Sequence, residues 1–453
     1  LSTETFSRIA LAALVVGLAL HNAAMAQLWE VGVRGTPLDV VAAWKEALLL
    51  VALVVVAWKV RSLPIATAAD VLAISYAAVI LVYALIPSGW LDGDATSRGE
   101  LLALRHHLLP VAGYALGRLV SGWWRPERLG IVVALTAGGL ALIGLLDLGV
   151  ISLQAWRDSG VPGWYREQLG LDYEGLTGLP ENWIYNTGDE ANPIRRLVST
   201  FLSPLASAYV FVVALVYVAS RPFRWWWGLL GLVLYAALLY THTRAAIAAL
   251  AVGLVVLAVA SRRLAPAVLA VASVTVAAAF FVAYPEIGPS TSYTQEEIEY
   301  LRANAAKNPD ASTDPFSTSE SSLASHWRSL RDGVRAVVEH PQGYGLGNAG
   351  VVAKRTGVDI RAGESTYLEL GVDAGIAGLV AFLLWNLAIL IGLWRRQAWL
   401  AASFVAVLLL GLQTDVIGVH WLAVAVWGLA GMTLGHQRSP RESEPAPEGT
   451  AST

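Results

Sequence analysis

The chain of 453 residues contains no cysteine. Disulfides, cysteine nucleophiles and thiolate metal sites are thereby excluded. Charge is scarce as well: Asp, Glu, Lys and Arg make up 14% of the residues, against roughly 25% in a soluble domain. The formal net charge of −3 is no signature of nucleic-acid binding, and none is expected as a partner. With so few charges, their positions carry the information. No repeat of the solenoid kind is visible. What the chain has instead is apolar bulk, 56% of its residues at a mean hydropathy of +0.56. The expected fold class is all-α, a polytopic membrane protein.

A membrane-spanning helix needs about 20 apolar residues. Candidates lie near 7–28, 39–60, 67–87, 101–121, 128–150, 198–219, 225–240, 244–260, 265–284, 366–394, 399–415 and 417–435, about twelve in all. The pair flanking Thr241–Arg244 is short. The first run has small residues after Asn22 that mimic a signal-peptide cleavage site, but the span layout keeps it as a retained helix. With the N-terminus inside, cytoplasmic turns carry Lys59, Arg61, Arg118, Arg125, Arg128, Arg221, Arg224, Arg262, Arg263, Arg395 and Arg396, followed by a tail with Arg438 and Arg441. The short outer turns carry Asp92, Asp94 and Asp415. This bias follows the positive-inside rule.

The expected organisation is helices 1–9 with an outer loop over 1–284 (the loop itself 151–195), a large extracytoplasmic loop over 285–363, helices 10–12 over 364–435, and a polar tail over 436–453. Trp156, Trp164, Tyr165, Trp183 and Tyr185 make the first loop aromatic enough to rest on the lipid interface. The second loop predicts a helix near 294–306, a Ser/Thr/Pro/Asp-rich link at 308–321 and an amphipathic helix at 323–339. It ends in a glycine-punctuated stretch, where Gly343, Gly345, Gly347 and Gly350 follow Pro341. Such a stretch turns tightly and approaches something closely. Tyr344 and Asn348, inside it, are candidate substrate-binding residues. Glu364 stands where the chain re-enters apolar surroundings, and a carboxylate there is costly unless it works or is paired.

Several basic residues gather at the outer ends of apolar segments. Arg105 lies in LLALRHHLLP, Arg195 and Arg196 open RRLVSTFLSP, and Arg244 follows THT at a tight turn. One such arginine can snorkel to the interface, a sufficient reading for Arg195. Several on one side suggest a shared anionic ligand, and the guanidinium fork suits phosphate oxygens. Lys45 joins them as a candidate, although Glu46 beside it offers a plain charge pair. Asp92-Gly-Asp94 reads as turn chemistry rather than a metal site. No metal or cofactor is expected.

These blocks resemble the O-antigen ligase and polymerase superfamily of bacterial membrane glycosyltransferases. Arg196-Leu-Val-Ser-Thr-Phe-Leu-Ser-Pro204 is similar to the family's first arginine block, and Thr243-Arg244-Ala-Ala resembles its second. The stretch from His326 through HPQGYGLG to Gly378 resembles its large periplasmic loop and the following span. One departure stands out: where the ligase branch has a histidine as catalytic base, this chain has Glu364, in Glu-Ser-Thr-Tyr-Leu368. A glutamate there resembles polymerase-like members.

The resemblance implies a glycan donor on undecaprenyl pyrophosphate, a glycan or lipid-glycan acceptor, and a site on the extracytoplasmic side of the inner membrane. Arg196 and Arg244 would clamp the pyrophosphate, and Glu364 would take the acceptor's proton, giving inversion. His326 and His340 are reserve candidates for the base or for acceptor binding. A lipid-linked-sugar transporter and a peptidoglycan polymerase are the competing readings.

Overall fold

A computed structural model describes residues 2–59, 66–185, 193–307 and 321–436. Arg61, most of the 308–321 link, and Arg438 and Arg441 in the tail lie outside the described residues. In chain order the helices are α1 (Thr3–Glu30), α2 (Thr36–Ala42), α3 (Trp44–Lys59), α4 (Ala68–Leu85), α5 (Ser97–Val120), α6 (Pro126–Val150), α7 (Leu153–Arg157), α8 (Gly160–Gly163) and α9 (Pro204–Ala219). They continue with α10 (Trp225–Tyr240), α11 (Arg244–Ser261), α12 (Ala265–Ile287), α13 (Gln295–Lys307), α14 (Ser321–Glu339), α15 (Gly350–Thr356), α16 (Thr366–Trp394), α17 (Ala398–Leu410) and α18 (His420–Gly435).

Eleven of the twelve expected spans coincide with a single helix each, and the span expected at 39–60 with the bent pair α2 and α3. Six of these (α1, α4, α6, α11, α12 and α16) are long and apolar enough to cross a bilayer alone. The pair α2 and α3, bent by 41°, makes a seventh. Helices α9, α10, α17 and α18 are shorter apolar rods. Helix α5 has the length, but Arg105, His106, His107 and Arg118 dilute its apolar character. The chain is an all-α polytopic membrane protein.

Two boundaries differ from the sequence reading. The segment expected from 198 becomes helical only at Pro204, because Ser199 and Leu202 adopt positive φ in a tight turn. Arg196 therefore does not open a helix. It sits in the irregular stretch before it. The segment expected to reach 415 stops at Leu410, where the chain turns through Gly411–Thr414.

Helix α18 runs against α5. Small residues allow the contact: a Cβ on Gly117 would lie 2.0 Å from the Gly428 carbonyl oxygen, and one on Gly431 would lie 2.1 Å from that of Tyr114. Close backbone approach through small residues is how helices pack in lipid, where apolar burial drives little. At the basic end, Arg118 donates to both oxygens of Asp70 at 2.8 and 2.7 Å, and Tyr114 adds a third bond at 2.8 Å.

The other end of the bundle bears the long connections. The described part of the 151–195 loop packs inward and forms no interfacial belt. Trp164, Tyr165 and Trp183 are buried in a compact cap with Leu176, Val198 and Leu202. The Tyr165 hydroxyl and the Trp183 indole both donate to the Leu202 carbonyl, at 2.9 and 3.1 Å. A two-residue antiparallel ladder, β1 (Ile184–Tyr185) with β2 (Ile194–Arg195), closes the cap in the register Ile184 to Arg195.

Helix α16 is broken at Ala374 and Gly375, the latter at φ +62. A break strands backbone groups, which must find partners inside a membrane protein. The glycine stretch supplies them: the Tyr344 N–H donates to the Val372 carbonyl at 2.7 Å, and the Ile376 N–H donates to Pro341 at 2.9 Å. The close approach is why residue 343 is a glycine. It stands at φ +76, and a Cβ there would sit 2.5 Å from the Gly375 nitrogen.

Candidate functional site

Arg196 and Arg244 meet at the loop-bearing end. The Arg196 guanidinium donates through Nε to the Thr241 carbonyl at 2.8 Å and through Nη2 to the Thr243 hydroxyl at 3.2 Å. Its side chain thus rests on the turn that leads into α11, whose first residue is Arg244. The Leu197 N–H donates to the Tyr240 carbonyl at 2.9 Å and fixes the approach. Both arginines are half-buried. Among the described residues no carboxylate lies within ion-pair reach of Arg196. Burial pushes its guanidinium down to about 10, and the charge of Arg244 adds to that, against Tyr284 and Tyr209. Two cations share a poorly hydrated corner, an arrangement that a phosphate would stabilise.

Sequence reading missed the residue between them. His242, at φ +49, packs its ring against Tyr185, Phe281 and Tyr284, with centroids 4.0, 4.4 and 4.8 Å away. Its Nε2 is buried without a hydrogen-bond partner. Burial, reinforced by Arg196 and Arg244, lowers its pKa to about 3. The imidazole is therefore neutral at physiological pH, with one nitrogen uncommitted beside two guanidinium groups. A histidine inside THTR was the one visible signal, and the turn geometry that gives it meaning is absent from the sequence.

Glu364 lies just before α16, at φ +62. A non-glycine residue in that region is strained, and such strain concentrates at functional sites. Its carboxylate meets His326 Nδ1, on α14, at 2.5 Å. The glutamate side chain is 50% exposed and the histidine 16%, so the pair lies open to a ligand. Helix α14 is held on the first half of α16 by close contacts: Gly333 abuts Leu368, and Gly371 abuts Val337. The next residues are anchored to the turn after α17. Ser365 and Thr366 donate to the Gly411 and Thr414 carbonyls at 3.1 Å each. Thr414 in turn lies beside Tyr209, a neighbour of Arg196. A short chain of contacts thus links Glu364 to the arginine pair.

The remaining candidates occupy other positions. Arg195 does not snorkel. It is buried, pairs with Asp147 at 3.3 Å and also donates to the Ile151 carbonyl, which ties β2 to the end of α6. Asn348 is fully buried, and its amide is spent on protein partners: Nδ2 faces Ser88 Oγ, Tyr344 O and Gly345 O, and Oδ1 accepts from the Asp94 N–H at 2.8 Å. It clamps the glycine stretch to the loop after α4. Tyr344 is buried between His340, stacked at 4.3 Å, and the Arg361 guanidinium, 4.3 Å above the ring. His340 hydrogen-bonds the Tyr344 hydroxyl at 2.9 Å and faces Asp92 at 3.8 Å, with no contact to Glu364. Asp94 pairs with Arg361 at 2.7 Å.

Lys45 and Arg105 form a second basic group. Lys45 lies 3.5 Å from Glu46, and Arg105 lies 3.4 Å from the same carboxylate. The charge-pair reading of Lys45 describes the geometry. His21 accepts from the Trp44 indole at 3.1 Å and meets Lys45 Nζ at 3.3 Å. Deeper in, Asp373 accepts from the Gly347 and Asn348 N–H groups at 3.2 and 3.1 Å and meets His107 at 3.0 Å. Asp415 pairs with His106 at 3.2 Å. Burial alone would raise the Asp415 pKa, but His106 and the Gly418 N–H hold it below the usual carboxylate range.

Residues 229–383 match the family model of the O-antigen ligase. The match covers about a third of the chain and supports membership of the O-antigen ligase and polymerase superfamily. The ligase segment begins within α10 and ends within α16, so it includes Arg244, His326, His340, Tyr344, Asn348 and Glu364. Arg196, Arg195, Arg105 and Lys45 precede it. No curated protein matches the chain. An O-antigen ligase domain brings with it glycan transfer in general, between a lipid-linked glycan and an acceptor.

Proposed function

We propose that this membrane protein transfers or polymerises glycan from an undecaprenyl-pyrophosphate donor onto an acceptor hydroxyl at the extracytoplasmic face of the inner membrane. The observation that carries the reading is the pairing of Arg196 with Arg244 around a neutral His242. The two guanidinium groups would stabilise a pyrophosphate bound beside them, and preorganised cations of this kind usually supply the largest catalytic contribution. The acceptor oxygen bonds to the anomeric carbon as the bond from that carbon to the phosphate oxygen breaks. The pyrophosphate leaves with the electron pair, and the arginines stabilise its growing charge. Attack from the face opposite the leaving group inverts the anomeric centre.

Glu364 receives the hydroxyl proton. His326 holds its carboxylate in place, and partial exposure leaves the outer oxygen free for the acceptor. The segments 151–195 and 285–363 stand on the extracytoplasmic side and select the sugar and acceptor. The test is turnover by purified Arg196→Ala and Arg244→Ala variants, with Arg→Lys partners as controls for charge without the fork. Each Ala variant is expected to lose about 10²–10³-fold in rate while eluting as a folded protein. Near-normal turnover in both would remove the clamp from the mechanism.

A further inference from the structure

A second cavity lies at the opposite end of the bundle, away from the arginine pair. A cavity of about 840 Å³ opens among α9, α10, α11, α12 and α17. Its volume falls in the range of small-molecule sites, roughly 300–1,000 Å³. Its wall is apolar, with Leu215, Trp227, Leu232, Leu254, Leu269 and Val276 among the lining residues. Its rim is cationic. Arg221 and Arg263 line the mouth, one in the turn after α9 and the other in the turn before α12.

Two features indicate the occupant. Among the described residues, neither Arg221 nor Arg263 has a carboxylate within ion-pair reach. Arg221 is already oriented, with Nε on Ser220 Oγ at 3.3 Å and its guanidinium 4.5 Å above the Tyr217 ring. The second feature is depth. From Ala265 at the mouth to Val276 at the far wall, α12 advances eleven residues, roughly 16 Å at 1.5 Å each. That is about half of a ~30 Å hydrocarbon core, the reach of an acyl chain in one leaflet. The tail end of a polyprenyl donor carries no charge and has no use for a cationic rim.

We infer that this cavity binds one anionic phospholipid from the leaflet at that end, its phosphate held by Arg221 and Arg263 and an acyl chain lying against Trp227 and Leu254. The site is independent of the transfer chemistry. It braces the α9–α10 and α11–α12 turns, and so the helices that carry His242 and Arg244 at their other ends.

The test uses delipidated full-length protein in detergent, titrated with phosphatidylglycerol and with phosphatidylcholine and read by native mass spectrometry. Wild type is expected to retain phosphatidylglycerol preferentially. One basic residue beside an anionic headgroup is worth about fivefold, so Arg221→Gln with Arg263→Gln should lower that preference by about 25-fold. A second variant fills the cavity and leaves the rim intact. A Cβ on Gly231 meets Val218 at an ordinary 3.4 Å, and Gly231→Leu should reduce retention of both lipids. Equal binding of the two lipids by wild type, an unchanged preference in the double variant, or displacement of the bound lipid by undecaprenyl phosphate would each overturn the proposal.

Discussion

Replacing Glu364 by glycine separates chemistry from stability. At φ +62 the glutamate backbone is in a region that costs an L-residue about 1–2 kcal/mol, and glycine removes that cost. Against this, glycine gives the unfolded chain extra freedom worth about 0.4–1 kcal/mol. The lost pair with His326 is half-exposed on the glutamate side, so it contributes about 0–1 kcal/mol. The terms nearly cancel, and the net change lies between about 1 kcal/mol destabilising and about 1.6 kcal/mol stabilising. Glu364→Asn behaves similarly, since asparagine tolerates the left-handed region. Thermal unfolding in detergent, followed by tryptophan fluorescence, should therefore shift by a few degrees at most. Release of the lipid pyrophosphate should fall by about 10²–10⁴-fold in both variants if Glu364 is the general base. Full turnover would remove Glu364 from the mechanism. A melting point lowered by roughly 10 °C would make its strained backbone a structural feature and refute the reasoning.

Three further outcomes follow from the geometry. Asp373→Ala strands the Gly347 and Asn348 N–H groups in a buried site, and at about 1–3 kcal/mol for each unsatisfied group should give a lowered melting point and faster proteolysis near α15. Gly343→Ala adds a methyl 2.5 Å from the Gly375 nitrogen at φ +76; a loss of roughly 2–5 kcal/mol should appear as poor recovery of folded protein. For His242, the folded pKa of about 3 lies below the unfolded value near 6.5, so between them the unfolded chain binds the extra proton. Stability then rises with pH in that window, and about 1.6 kcal/mol is lost between pH 6.5 and 5. His242→Asn should flatten that part of the melting-point profile, and an unchanged slope would contradict the assignment.

The bundle was legible because periodic apolar runs and basic turns mark helices in lipid without reference to tertiary contacts. Arg196, Arg244 and Glu364 stood out for the same reason, as charges placed where lipid makes them costly. The roles of Arg195, Asn348 and Tyr344 were not legible. Each is committed to partners far along the chain: Asp147 for Arg195, the Asp94 N–H for Asn348, and the Arg361 guanidinium for Tyr344. Helix α16 read as one continuous span, and only the inserted glycine stretch reveals its break at Gly375. The tryptophans of 151–195 could equally have lain on lipid or packed inward, and the cap formed around Leu176 and Leu202 decided it. His242 gains its meaning only from the turn that sets it between two arginines.

The most direct measurement of glycan transfer is a turnover assay on purified protein with a synthetic undecaprenyl-pyrophosphate oligosaccharide and a chelator present. Release of undecaprenyl pyrophosphate is followed together with the mass of the glycan product. The account predicts release coupled to a larger glycan, either a regular ladder from a polymerase or a single addition to an offered acceptor from a ligase, with both lost in Arg196→Ala. Tight donor binding with no release across several donors would contradict it and assign the arginine pair to transport.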